Sequence, residues 1–206
     1  MSESAEKSLL RRAGRWLAEL LLVFVGVYAA FWLNNYQQHQ QDARHRDQIL
    51  ASLEEQLREG IESGKIATAQ EDRRAAEFQR ALDAGEMPSL HRFVFTTDYN
   101  ASDFATLLQS GGIELLDMKT LTALRNLESV IRWGLSSMAH YQKLSDELIA
   151  PNLGQDTSFF YDPATKKLRE RFEIYPEALH ATAKFGHDLQ KAKTQMLQQI
   201  QIERRR

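Results

Sequence analysis

Apolar positions along the chain fall into two regimes. In residues 16–33 (WLAELLLVFVGVYAAFWL), 16 of 18 side chains are apolar and they encircle a helix, with no polar stripe. From residue 34 onward, apolar residues recur singly at helical spacing among Gln, Arg, Glu and Ala. Eighteen helical residues reach about 27 Å, close to the hydrocarbon thickness of a bilayer. The first regime therefore predicts a transmembrane helix over 16–33. The second predicts water-soluble amphipathic helices.

Ile49, Leu53, Leu57 and Ile61 recur every four residues and predict one buried stripe on a long helix over about 34–82. The run Asp83-Ala84-Gly85-Glu86-Met87-Pro88 stops that helix. Residues 91–97 favour extended structure but have no partner strand, so they read as a packed loop or short turn. Asp98, Asn100 and Ser102 offer N-cap oxygens to a short helix over about 103–110, which Gly111 and Gly112 end. Asp117 caps a long helix over about 117–149. Its apolar positions Leu121, Leu124, Leu127, Ile131, Leu135, Met138, Tyr141, Leu144 and Leu148 have a mean interval of about 3.4 residues. Residues 155–175 are mixed, with a turn at Asp162-Pro163. Pro176 suits the first turn of a last helix over about 176–203, whose inner face is Leu179, Ala183, Gly186, Leu189, Ala192, Met196 and Ile200. The expected fold is all-α: a short basic tail (1–15), one N-terminal transmembrane helix (16–33) and a long-helix bundle domain (34–206).

The flanks of the apolar block refine this reading. Trp16 lies at one end, and Trp32 and Tyr36 at the other, as in an interfacial aromatic belt. Lys7, Arg11, Arg12 and Arg15 precede the block, whereas only Arg44 and Arg46 follow by residue 48. That asymmetry places the N-terminus in the cytoplasm and, in a bacterium with two membranes, the domain in the periplasm. Glu19 is the one charge inside the block. It is close to the boundary, where it can pair with Arg15 one turn back and snorkel to water. Gly26, Ala30 and Asn34 share one helical face, and small residues at that spacing let two membrane helices approach closely. A cleaved signal peptide is the competing reading, but the apolar run continues through Phe31, Trp32 and Leu33 beyond the usual length of such a region.

Charge and composition exclude more than they assign. Lys and Arg total 26 against 28 Asp and Glu, a net charge of -2, without the basic excess of a nucleic-acid binder. No cysteine occurs, so disulfides, thiolate catalysis and cysteine-based metal sites are ruled out. The six histidines, His39, His45, His91, His140, His180 and His187, form no metal-binding spacing. No P-loop, dinucleotide fingerprint or nucleophile elbow is present. Paired acids such as Glu54-Glu55 and Asp146-Glu147 read as solvated helix faces. No enzyme activity, cofactor or metal is expected. The cations Arg204, Arg205 and Arg206 suit a helix C-terminus, with lipid phosphate contact as the sharper alternative.

Two stretches together resemble a bacterial family. Glu19-Leu20 through Gly26-Val27, then Ala30 and Asn34-Asn35, is similar to an E-x-x-L-x-x-x-G-V-x-x-A anchor ending in paired asparagines. Leu107-Leu108-Gln109-Ser110-Gly111-Gly112-Ile113-Glu114-Leu115-Leu116, followed by Leu121 and Leu124, is similar to that family's L-x-S-S-G-x-L-x-L-I segment. The family is a widespread group of bacterial single-pass membrane proteins described as a domain of unknown function. Tyr36 stands where the family has its usual aromatic, and Gly112 replaces a more typical polar residue. The resemblance implies architecture and an inner-membrane location, and it adds no activity or catalytic residue. The expected role is a membrane-anchored, non-enzymatic interaction or structural protein, with the bilayer, a second copy or an envelope protein as partner and no nucleic acid. The alternative is a sensory domain with a ligand pocket lined by Phe104, Trp133, Tyr141 or Phe160.

Overall fold

The computed structural model describes the backbone of residues 3–95 and 112–205 and the side chains of residues 21–95 and 113–205. Three long α-helices carry the chain: α1 (Glu3–Asp83), α2 (Met118–Leu148) and α3 (Ile174–Arg204). Short 3-10 turns at Gly112–Leu115, Ala150–Asn152, Thr157–Phe159 and Glu170–Phe172 join or precede them. The all-α expectation is met among the described residues, where β pairing is limited to an isolated antiparallel bridge between Tyr161 and Leu168. The short helix expected at about 103–110 lies outside the described residues.

The chain divides into two units, residues 1–47 and 48–206. Residues 34–45 are exposed all round, and the buried stripe of α1 begins only at Ile49. Polar residues without an apolar stripe have no face to bury, so this stretch belongs with the first unit. The first unit is the helical rod of α1 up to Asp47.

The second unit packs α1 from residue 48, α2 and α3 around two cores. The first gathers Ile49, Leu50, Leu53 and Leu57 of α1, Leu124, Leu127 and Ile131 of α2, and Ala192, Met196 and Ile200 of α3. Apart from Leu50, these are the positions that helical periodicity assigns to inner faces, so local pattern and burial agree here. The second core is aromatic, with Phe78, Phe160, Tyr161, Phe172 and Tyr175 around Leu90, Ile149 and Leu179. The Phe160 and Phe172 rings meet edge to face at 5.0 Å between centroids, a favoured geometry for aromatic pairs.

Helix ends follow local chemistry. Gly85 adopts φ +70° past the end of α1, a conformation that favours glycine, and the Glu86 amide donates back to the Ala81 carbonyl at 2.9 Å. Asp117 caps α2 by accepting from the Thr120 amide at 2.6 Å. α3 starts at Ile174, two residues before Pro176. Pro176 thus sits in the first turn, where its missing N–H costs nothing.

Residues 86–95 form a strap without regular secondary structure, the loop form of the packed segment expected from residue 91. They find hydrogen bonds without a partner strand by using side chains of α2. The Phe93 amide donates to Ser145 Oγ at 2.8 Å, the Phe95 amide donates to Gln142 Oε1 at 3.3 Å, and the Arg92 guanidinium donates to Asp146 at 2.6 Å. The Tyr161 hydroxyl donates to the Pro88 carbonyl at 2.7 Å and pins the start of the strap to the aromatic core.

Candidate functional site

In the first unit, the candidate site is the surface of α1 itself. Residues 21–33 carry an almost unbroken apolar set, and Leu22, Phe24 and Phe31 are each more than 70% exposed. An apolar surface of this extent, uncovered by the chain, marks an interaction surface. Among the described residues, no helix is long and apolar enough to cross a membrane. The described part of the block contributes 13 residues, 21–33, about 20 Å of helix, before Asn34 and Asn35 interrupt it. Arg12, Arg15, Trp16 and Glu19, the inner half of the expected anchor, lie outside the residues whose side chains are described.

The outer half is described. The Trp32 and Tyr36 rings stack one helical turn apart, with centroids 5.9 Å apart and planes 14° from parallel. The Tyr36 hydroxyl accepts from Gln40 Nε2 at 2.9 Å, so the aromatic pair passes directly into a polar ladder on one face. Gly26 has nothing within 4 Å of where a Cβ would stand, and Ala30 and Asn34 are likewise exposed. The proposed pairing face is thus uncovered within the chain.

In the second unit, the most elaborate polar site is centred on Glu54. Its side chain is only 13% exposed. It accepts from Arg58 Nη2 at 2.6 Å, Gln201 Nε2 at 3.1 Å and Arg204 Nη1 at 2.6 Å. Arg58 is the i,i+4 neighbour on the same helix, and the reading of Glu54 as a solvated acid is corrected. The C-terminal turn of α3 folds over it and supplies two further donors. Asp146, of the other acid pair, is likewise held by Arg92 of the strap. At the same end of the bundle, Glu203 is buried and its Oε1 accepts from the Asp117 amide at 3.1 Å. Arg204 therefore works in a tertiary contact as well as at a helix terminus.

Hydrogen bonding by Arg58 first, then by Gln201 and Arg204, holds the Glu54 carboxyl at a pKa of about 2, against an ordinary 4.5. A folded pKa below the unfolded value gives stability that is complete above pH 4.5 and lost as pH falls toward 2. Allowing for solvent screening, the expected contribution is about 1–2 kcal/mol. Thermal melts between pH 6 and 2.5 should show Glu54→Gln with a smaller loss of Tm on acidification than the parent chain.

Lys193 is also buried and its ammonium donates to the Gly60 carbonyl at 2.9 Å. Burial pulls its pKa below the usual lysine range. His187 Nε2 lies 3.0 Å from both carboxylate oxygens of Asp72, an exposed pair linking α3 to α1. No group of three or more metal-ligating side chains occurs among the described residues.

Among the described residues, Trp133, Tyr141 and Phe160 do not line one common pocket. Phe104 lies outside the described residues, Trp133 is 54% exposed on α2, and Phe160 is buried in the aromatic core. Of the four, Tyr141 lines a groove, an open hollow of about 760 Å³ shared with Leu82, Leu168, Pro176, Lys166, Lys167, Glu173 and Glu177. Lys166 there has φ +56°, the left-handed position of the turn that starts at Asp162. Sequence reasoning missed this groove because its walls come from α1, the 162–168 turn and α3, which no local pattern brings together.

No family model, curated protein or solved structure matches the chain.

Proposed function

We propose that the chain is a membrane-anchored, non-enzymatic interaction or structural protein. In this reading residues 16–33 are the anchor, the N-terminus is cytoplasmic, and the helical bundle stands outside the inner membrane of a bacterium as a member of the single-pass family it resembles. The observation that carries the reading is the exposure of the large apolar side chains of residues 21–33, each 53–76% exposed. Lipid covers such a surface without needing a matched partner, because apolar side chains on every side of a helix suit an apolar solvent. The stacked Trp32 and Tyr36 suit the headgroup level, and the cation asymmetry across the block supports the orientation. The absence of any catalytic motif in the sequence supports an interaction role over an enzymatic one.

Carbonate extraction of cells expressing the full chain tests the anchor. The expected result is that the chain stays in the membrane pellet and is released only by detergent. A charge in the apolar run, Phe24→Arg, costs about 2.5–3.5 kcal/mol of insertion and should move a large fraction to the supernatant. A parent chain that remains in the supernatant without detergent overturns the reading.

The open groove beside Tyr141 favours one second reading, a sensor that passes a ligand signal to a partner. Its volume is in the range that holds small molecules. Mass spectrometry of the purified chain for a co-purifying compound that raises Tm distinguishes the two.

A further inference from the structure

Three alternate amides of the strap are held from one side. The His91 amide donates to the Tyr175 hydroxyl of α3, the Phe93 amide to Ser145 Oγ at 2.8 Å and the Phe95 amide to Gln142 Oε1 at 3.3 Å, the last two on α2. Amides two residues apart facing one side are the pattern of an extended chain. Among the described residues, no backbone–backbone hydrogen bond joins residues 89–95 to the bundle. The acceptors are side chains, and acceptors in such a row hold an extended backbone whatever its sequence.

Sequence enters through three side chains. Arg92 donates to both carboxylate oxygens of Asp146, at 2.6 and 3.2 Å. The Phe95 ring meets the buried Phe185 edge to face. Phe93 is half-buried, whereas Val94 between the two rings is exposed. The track along α2 and α3 therefore reads arginine, aromatic, any residue, aromatic.

The hold on this stretch is light. The Pro88 carbonyl is pinned by Tyr161 and Leu90 is buried in the aromatic core, so the chain is fixed up to residue 90. From 91 to 95 no residue is fully buried, and the Arg92–Asp146 pair faces water, where an ion pair contributes little. Segments with few buried apolar contacts open at low free-energy cost. Opening also orphans no acceptor. Ser145 can turn its hydroxyl to the carbonyl one turn back on α2, and Gln142 and Asp146 already reach water.

We propose that residues 91–95 occupy, in cis, a docking track for an extended segment of a partner protein with the pattern Arg-aromatic-x-aromatic, and that the partner binds when the strap lifts. The strap is then an autoinhibitory contact, and its own sequence is the template for the ligand. The proposal rests on the interaction reading and gives that partner a chemistry. It does not depend on where the apolar helix resides.

A labelled peptide of residues 88–95 is the probe, applied to full-length chain purified in detergent. Arg92→Ala/Phe95→Ala loosens the strap and leaves the track intact. Apparent affinity scales with the open fraction, so fluorescence anisotropy should show this variant binding the peptide roughly tenfold or more tighter than the parent chain. Adding Asp146→Asn, or giving the peptide glutamate in place of its arginine, should remove the gain. In the parent chain, native-state hydrogen exchange should show the His91, Phe93 and Phe95 amides exchanging together and faster than those of Leu127 and Ile131 in α2. A variant with parental far-UV circular dichroism that binds the peptide no better than the parent overturns the proposal, as does binding indifferent to the arginine. So does a strap whose amides exchange only with the core, a result that is read on the parent chain and so stands even if the variant fails to fold. A parent chain that forms dimers which the peptide dissolves overturns the assignment of a foreign partner, because the occupant is then a second copy's strap. Carbonate extraction reads the anchor separately, so failure of one proposal is not failure of the other.

Discussion

Leu53→Ala is expected to cost about 2–5 kcal/mol, enough to consume much of the stability of a domain this size. Leu53 has no solvent exposure and sits where α1 meets both other helices in the first core. Truncation removes buried apolar area and leaves a cavity. Leu53 shares that core with Leu50 and Leu57 of the same helix and with Met196 and Ile200 of α3, all buried. Urea denaturation should show a lower midpoint with an unchanged slope, the mark of lost stability without a change in the surface exposed on unfolding. An exposed apolar residue of the same helix gives the control. Ile66→Ala, at 65% exposure, should change the midpoint by less than about 0.5 kcal/mol in equivalent stability.

Leu53 was readable because its signal is local. A stripe at four-residue spacing states that a helix exists and which side it buries, and the same holds for Leu124, Leu127 and Ile131 on α2. Caps and stops are local too, and Gly85 and Asp117 act where the sequence placed them. The Glu54 site is a different case. Arg58 lies on the same helix and could be paired from spacing alone, but Gln201 and Arg204 are about 150 residues away. No periodicity within α1 announces that the last turn of α3 will arrive there. The aromatic core shows the same limit. Phe159, Phe160 and Phe172 come from a stretch without period, and the order comes from the Tyr161–Leu168 bridge and the strap held by Tyr161.

Glycines inside the helices show a related limit. By helix propensity alone a glycine there lowers stability by roughly 1 kcal/mol, and Gly60 and Gly64 carry no other local signal. In the bundle they mark close approaches. A Cβ on Gly64 would stand 1.8 Å from Gln190 Nε2, and one on Gly60 would stand 3.0 Å from Lys193 Nζ. Both obstacles are ends of flexible side chains, so either substitution can be accommodated by a side-chain shift. The lysine case has a further cost, because Lys193 uses that approach to reach the Gly60 carbonyl.

Gly134 has no such escape, and Gly134→Leu is expected to be among the most damaging single substitutions in the chain. A Cβ there would lie 2.0, 2.2 and 2.4 Å from three atoms of the Phe185 ring. A ring cannot bend away as a lysine tip can. Phe185 is itself buried, and on its other side it meets Phe95 edge to face at 6.5 Å between centroids. Relief therefore requires α2 and α3 to separate or the ring to leave the core and displace the strap. Overpacking of this kind costs about 1–3 kcal/mol and occasionally more, against a gain of about 1 kcal/mol from replacing glycine within a helix. Alanine should therefore destabilise modestly. Leucine adds three further carbons at the same point and should exceed the range. The diagnostic measurement is a double-mutant cycle by urea denaturation. Phe185→Ala alone should be costly, yet Gly134→Leu/Phe185→Ala should be less destabilised than the sum of its parts, because the leucine occupies the space the ring vacates. Additive losses would place the strain elsewhere than at the Gly134–Phe185 contact.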